Sequence, residues 1–366
     1  MKNPINLLIY IGEEIRVLIF NIAPALPPFG SGYISGVLKI NLLPEFFLTK
    51  EGGRGKQIDF HESGFSQSVK SVLLITFLPA VLSLSSCMRL DDMFYNANYN
   101  PIDRYLLDEY TGPVEFELEA QYDIDKDKIH LFTLQSDLNG DKKNIYALYL
   151  GDTSRIATDT VILYCHGNKD HLDFYYPRTA LLANTGGKNR YGVMSIDYRG
   201  FGLSEGKPSE EGLYADVNAA LKWLKGKGLT GDRLVMYGFS MGTAPATELT
   251  ANPVEMNPSA LILEAPFASA EVFVQDGAGL SIPGSYIVNL KIDNAEEIKK
   301  VSVPFLWIHG TADDFISMES HGQVVFSNYN GIRGQACTVQ GAGHSDCPVM
   351  LGFEIYLKVI LSFIVV

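Results

Sequence analysis

Positive charge is scarce in this chain: 29 Lys and Arg stand against 42 Asp and Glu, a formal net charge of −13, and no Lys/Arg run interleaved with aromatics offsets it. A surface of that sign repels polyanions, so nucleic-acid binding is disfavoured. Cysteine is scarce too. The four present, Cys87, Cys165, Cys337 and Cys347, show no CxxC or Cys/His spacing of a metal site and are too few for a disulfide framework, so neither a metal nor another cofactor is expected. Cys337 and Cys347 read as two buried thiols, the alternative being a pair closed in an oxidising compartment. Apolar residues are plentiful. With 366 residues, 46% of them hydrophobic, the chain can bury a large core as one big domain or two small ones.

Long apolar runs are also missing. Val72 to Leu84, VLLITFLPAVLSL, is too short to cross a bilayer as a helix but has the length of a signal-peptide core, with Lys70 just before it. It ends in Leu84-Ser85-Ser86-Cys87, which resembles a bacterial lipobox: small residues for the peptidase, then the cysteine that takes the lipid. Residues 69–86 are therefore expected to be a lipoprotein signal peptide and Cys87 the lipidated N-terminus, anchoring the protein at a bacterial cell envelope. Such a signal belongs at the true N-terminus. Residues 1–68, whose apolar patches are broken by Glu13, Glu14, Arg16, Pro24, Pro27 and Pro28, are accordingly expected to be an extension outside the enzyme, with the natural start at Val69 read from a GTG codon. Residues 87–112 read as a polar and aromatic tether.

From Pro113 onward the chain punctuates itself regularly. The runs 114–118, 128–136 and 144–151 suggest antiparallel strands, the last two joined by a hairpin turn at Asn139-Gly140. Strand-like segments then alternate with helical ones, at 160–165, 191–198, 233–238, 260–265, 304–310 and 336–341. TVILYC, RLVMY, ALILEA and PFLWI are near-continuous apolar runs, the pattern of parallel strands covered by helices on both faces. The predicted fold class is α/β, a mostly parallel sheet flanked by helices, and its functional groups belong at the carboxyl ends of the strands.

Those ends carry the chemistry. Gly238-Phe239-Ser240-Met241-Gly242 fits G-x-S-x-G, in which a sharp strand-to-helix turn exposes the serine. Gly202-Leu203-Ser204-Glu205-Gly206 fits the same pattern, but only Ser240 follows a strand and opens a helix, so Ser240 is the candidate nucleophile. A serine hydroxyl needs a base, and the base needs a partner that fixes its tautomer. His344, in the GAGHSD loop after the last strand, is the candidate base; His166 and His309 precede glycines at strand ends and read as packed loop residues. In the chain order Ser, acid, His, the segment His309-Gly310-Thr311-Ala312-Asp313-Asp314 supplies Asp313 as the preferred acid, with Asp314 as the alternative. The N–H of Met241 and the N–H of Asn168, in His166-Gly167-Asn168, are the candidate oxyanion donors.

Together HGN, DYRGFGLSEG (197–206), GFSMG, HGTAD and GAGH resemble the α/β-hydrolase superfamily over residues 113–366, and within it the serine hydrolases that include bacterial lipoprotein hydrolases and eukaryotic depalmitoylase-like enzymes. The resemblance implies a Ser240, His344, Asp313 triad acting on a small-molecule or acyl ester substrate, and it makes DYRGFGLSEG a loop beside the site. The insertion at about 267–301 falls where such proteins carry a cap, here short enough for a small lid. Three functions stay open: ester or thioester hydrolysis, a serine peptidase or aminopeptidase of the same fold, and a binding lipoprotein without catalysis. The sequence is silent on oligomeric state.

Overall fold

Alternating burial on two faces of one sheet organises the described residues, which in this computed structural model are 94–97, 99–278 and 288–365. The expected extension (1–68), the signal peptide (69–86) with its start at Val69, Cys87, and the middle of the cap insertion lie outside the described residues. Strands β1 (Ile129–Leu138) and β2 (Asp141–Leu150) form the expected antiparallel hairpin. Its turn residues Asn139 and Gly140 both have positive φ, 52° and 90°, the two-residue geometry that follows the twist of the flanking strands. Then come β3 (Val161–Cys165), β4 (Gly192–Ile196), β5 (Leu234–Phe239), β6 (Ala260–Glu264), β7 (Phe305–Gly310) and β8 (Gly334–Val339). The sheet order is β1-β2-β4-β3-β5-β6-β7-β8, with every pair from β4 to β8 parallel. This is the α/β-hydrolase fold.

The helices are α1 (Leu172–Ala183), α2 (Glu210–Gly226), α3 (Thr243–Ala251), α4 (Ala270–Ala278), α5 (Asn294–Glu297), α6 (Gln323–Asn328), α7 (Cys347–Leu351) and α8 (Phe353–Val365). In β3, Val161, Leu163 and Cys165 join the core that α2 and α3 cover, while Ile162 and Tyr164 join the core under α1 and α8. Both faces are buried, which is why the strand reads as unbroken apolar sequence instead of an alternation. Helix α2 shows its packing in its spacing. Ser209 caps it by accepting the Gly212 N–H at 3.1 Å, and Leu213, Val217, Ala220, Leu221 and Leu224 form the buried stripe.

Some expectations are corrected. Residues 114–118 form no strand. Glu115 instead gives its N–H to the Phe174 carbonyl and its carboxylate to Arg178, and the Phe116 ring lies 5.4 Å from that of Phe353, so side-chain docking replaces a ladder. The segment read as a polar and aromatic tether, residues 87–112, packs on the domain over its described part. Phe94 is buried against Phe267 and Phe273, Tyr105 Oη donates to Asp197 Oδ2 at 2.5 Å, and the N–H groups of Leu106 and Leu107 reach the Asp173 carboxylate. The helical segment after β7 begins as a wide π turn at Met318–Gly322 that turns His321 inward, where its Nδ1 accepts the Ala268 N–H at 3.1 Å. Cys337, half-buried, and Cys347, buried, are free thiols.

Candidate active site

Parallel strands deliver their carboxyl ends to one edge, and the register decides which loops meet there. Cys165 pairs with Gly238, so the His166-Gly167-Asn168 loop leaves the sheet beside Ser240. Gly310 pairs with Val339, so the loops bearing Asp313 and His344 leave side by side. A Cβ on Gly310 would stand 2.2 Å from the Ala342 carbonyl oxygen, and only glycine allows that approach of the two loops.

Ser240 sits between β5 and a 3-10 turn, Ser240–Gly242, that runs into α3. Its φ is +52°, a region costing about 1 to 3 kcal/mol for a side-chain-bearing residue and typical of functional turns. Gly242 makes the turn possible: a Cβ there would lie 2.0 Å from the carbonyl oxygen of Cys165. That contact also shows how tightly the elbow and the strand leading to Asn168 approach each other. The N–H of Met241 belongs to the opening turn, where backbone donors have no intrahelical acceptor.

Ser240 Oγ lies 2.9 Å from His344 Nε2, and His344 Nδ1 lies 2.8 Å from Asp313 Oδ2. With the Nδ1 proton donated to the carboxylate, Nε2 faces the hydroxyl as an acceptor. The imidazole is held between two rings, Phe239 at 5.3 Å and Phe315 at 4.9 Å between centroids. Phe315 is 44% exposed, whereas Ser240 is nearly buried.

Asp313 is the more elaborately held of the two aspartates considered. Burial works against its charge, but hydrogen bonds from His309 and His344 and the backbone N–H of Ile316 outweigh it and hold the carboxyl well below the usual carboxylate range. Its Oδ1 accepts the N–H groups of Ile316 at 2.8 Å and Phe315 at 3.0 Å. Asp314, the alternative, is exposed. His309 was expected to shape a loop, and it has a second task. Trp307 Nε1–H donates to His309 Nδ1 at 3.1 Å, which places the His309 proton on Nε2, 2.9 Å from the Ile316 carbonyl and 3.3 Å from Asp313 Oδ2.

Ser204 has none of this. Its Oγ donates to the Asp197 carbonyl at 2.7 Å and accepts the Tyr146 N–H at 2.9 Å, so its hydrogen-bonding capacity is spent on tying a loop to β2. His166 is fully buried, stacked on Tyr175, with Nδ1 at 2.8 Å from the Gly167 carbonyl. Sequence reasoning missed Glu115, Arg178 and Glu264, whose side chains lie buried behind the site; the single arginine of helix α1 was the available signal. Among the described residues no group of three or more His, Cys, Asp or Glu is placed to hold a metal.

Residues 157–298 match the family model described as serine aminopeptidase, S33, a span that contains Asn168, Ser240 and Met241 and stops short of Asp313 and His344. Among curated proteins, the chain is 33% identical over 206 residues to the α/β hydrolase domain-containing protein aho-3 of Caenorhabditis elegans, covering 56% of this chain and 57% of that one. It is 31% identical over 207 residues to the human α/β hydrolase domain-containing protein 17B, covering 56% of this chain and 65% of that one. The chain thus spans under two thirds of the length of these curated relatives. An esterase of Pyrococcus furiosus, in two crystal forms, superposes with TM-scores of 0.53 and 0.51 at 17% identity, covering 69% and 64% of this chain and 97% and 89% of that chain, a likeness of fold. The matches support placement in the α/β-hydrolase superfamily.

Proposed function

We propose that this chain of α/β-hydrolase fold is a serine hydrolase that cleaves carboxylic esters or thioesters through an acyl-enzyme. The observation that carries the reading is the continuous chain Ser240 Oγ, His344, Asp313, with links of 2.9 and 2.8 Å, on a strained elbow. Ser240 Oγ attacks the acyl carbon while His344 Nε2 takes its proton, and Asp313 supports the imidazolium that forms. The oxyanion is stabilised by the N–H groups of Met241 and Asn168, each such donor contributing roughly 3 to 4 kcal/mol to the barrier reduction. His344 then returns the proton to the departing alcohol or thiol. Water, deprotonated by the same imidazole, attacks the acyl-serine and releases the acid.

An apolar acyl or leaving group suits the site because the half-exposed Phe315 ring stands against His344 and is itself edge-on to Phe273 of α4 at 5.5 Å. A serine peptidase is the second reading, favoured by the description of the matching family model. The N-terminal motif supports a further part of the proposal: the described domain follows a lipoprotein signal at 69–86 and is held at a bacterial envelope membrane by a lipid on Cys87. Cys87→Ala is expected to release the protein from the membrane fraction and to stop palmitate incorporation; unchanged partitioning refutes the anchor.

A fluorophosphonate probe tests the chemistry. The wild type is expected to label and Ser240→Ala to stay unlabelled while folded; a wild type that does not react, or equal labelling of the variant, refutes the enzyme reading. A panel of p-nitrophenyl esters, acyl thioesters and aminoacyl amides then separates ester from peptide chemistry.

A further inference from the structure

Helix α1 carries Arg178, the largest fully buried side chain of the described residues and one that the proposed acyl transfer does not use. Burying a guanidinium requires partners for its donors, and here they come from four residues 63 to 178 positions away in the chain. Nε and Nη2 donate to the Glu115 carboxylate at 2.9 and 2.7 Å, and Nη1 donates to Glu264 Oε2 at 2.7 Å and to Tyr356 Oη at 3.2 Å. Nη2 also donates to the carbonyl oxygen of Ser345 at 3.1 Å. The face of the Phe239 ring lies 4.5 Å from Cζ.

Two of these contacts are adjacent to the proposed chemistry in the chain. Phe239 immediately precedes Ser240, and Ser345 immediately follows His344. One rigid planar group therefore touches the neighbour of the nucleophile and the neighbour of the base at once. It is also braced from beneath, because Glu264 at the end of β6 accepts from the hydroxyls of Tyr237 and Tyr356 as well. In the loop 340–346 the carbonyls of Ala342 and Asp346 accept the backbone N–H groups of Ala312 and Met350, and the Ser345 carbonyl, next to His344, is held by the guanidinium, a fixed donor that helps set where the imidazole stands.

We propose that Arg178 is a positioning residue for the reaction: through the Ser345 carbonyl and the Phe239 ring it holds His344 Nε2 within reach of Ser240 Oγ. The proposal rests on the serine-hydrolase reading above. A lysine at 178 keeps the charge but loses the planar fork, and one ammonium cannot bind both carboxylates and the carbonyl while covering the ring.

The test is Arg178→Lys, assayed on a p-nitrophenyl ester per folded molecule, together with the low-field proton resonance of the His344 Nδ1–H, assigned by its loss in Asp313→Asn. Expected are a kcat about 100-fold lower with KM kept within threefold, the scale of loss for a catalytic group misplaced by about 1 Å, and a shifted or broadened resonance. A kcat within threefold of the wild type overturns the proposal. So does a lower kcat with the resonance unmoved, since Arg178 would then act elsewhere. Where Arg178→Lys does not fold, Arg178→Met combined with Glu115→Gln and Glu264→Gln, which leaves no uncompensated buried charge, is measured in its place. A wild type that turns over no ester counts against the hydrolase reading instead, and the resonance alone then decides the positioning role.

Discussion

Replacing Asp313 by Asn changes one oxygen to an NH2 group and is expected to remove nearly all activity without removing the fold. Four donors converge on the native carboxylate: the N–H groups of Ile316 and Phe315 on Oδ1 at 2.8 and 3.0 Å, and His344 Nδ1 and His309 Nε2 around Oδ2 at 2.8 and 3.3 Å. The backbone donors cannot turn, so the asparagine carbonyl must stay with them. Its NH2 then points at His344 Nδ1, which can only answer as an acceptor. The imidazole proton is driven to Nε2, facing Ser240, and the base is lost. A wrong tautomer of this kind costs about 10⁴ in kcat in a serine protease, equivalent to roughly 5.5 kcal/mol of transition-state stabilisation. Steady-state hydrolysis of a p-nitrophenyl ester measures it directly, with Asp314→Asn, an exposed position, as the control expected to match the wild type. A kcat for Asp313→Asn within tenfold of the wild type would refute the tautomer argument and the choice of Asp313.

The same carboxylate gives the pH dependence its sign. Because the folded value is depressed, its contribution to stability is complete above the ordinary aspartate range, near pH 4, and is lost as pH falls through the lower folded value. The difference in Tm between wild type and Asp313→Asn is thus expected to be largest near neutrality and to narrow below about pH 4; a difference that grows on acidification contradicts it. Ser204→Ala removes the acceptor of the half-buried Tyr146 N–H and should cost about 1 kcal/mol in denaturant unfolding while kcat stays intact, which separates the two G-x-S-x-G matches. Gly242→Ala forces a methyl to 2.0 Å from a backbone oxygen and is expected to lower stability by about 3 kcal/mol and to abolish fluorophosphonate labelling. Arg199→Ala leaves the buried Asp216 without the guanidinium that binds it at 2.8 Å, at an expected cost of about 3 to 5 kcal/mol; adding Asp216→Ala should recover part of it.

The chain's own local signals determined most of the architecture. Strands buried on both faces must be apolar throughout, so TVILYC, RLVMY, ALILEA and PFLWI declared themselves, and Asn139-Gly140 declared its hairpin because few other residues accept two positive φ values in succession. The elbow was legible for a similar reason: a glycine pair around a serine, between a strand and a helix, is demanded by a turn too tight for side chains. Where sequence reasoning stopped, the deciding forces were contacts between distant segments. Residues 114–118 alternate like a strand, yet Glu115 is claimed by Arg178, 63 positions away. Residues 94–112 are polar and aromatic like a tether, yet Asp173 and Asp197 accept hydrogen bonds from Tyr105, Leu106 and Leu107 and draw them onto the domain. Sequence order placed Ser240, Asp313 and His344 at strand ends in the right succession. Only the parallel register, pairing Cys165 with Gly238 and Gly310 with Val339, brought those ends to one edge, and only there could burial and hydrogen bonds converge on Asp313, already the preferred acid, and set Arg178 behind the site. Periodicity records which face of an element is buried; it does not record what the buried face will touch.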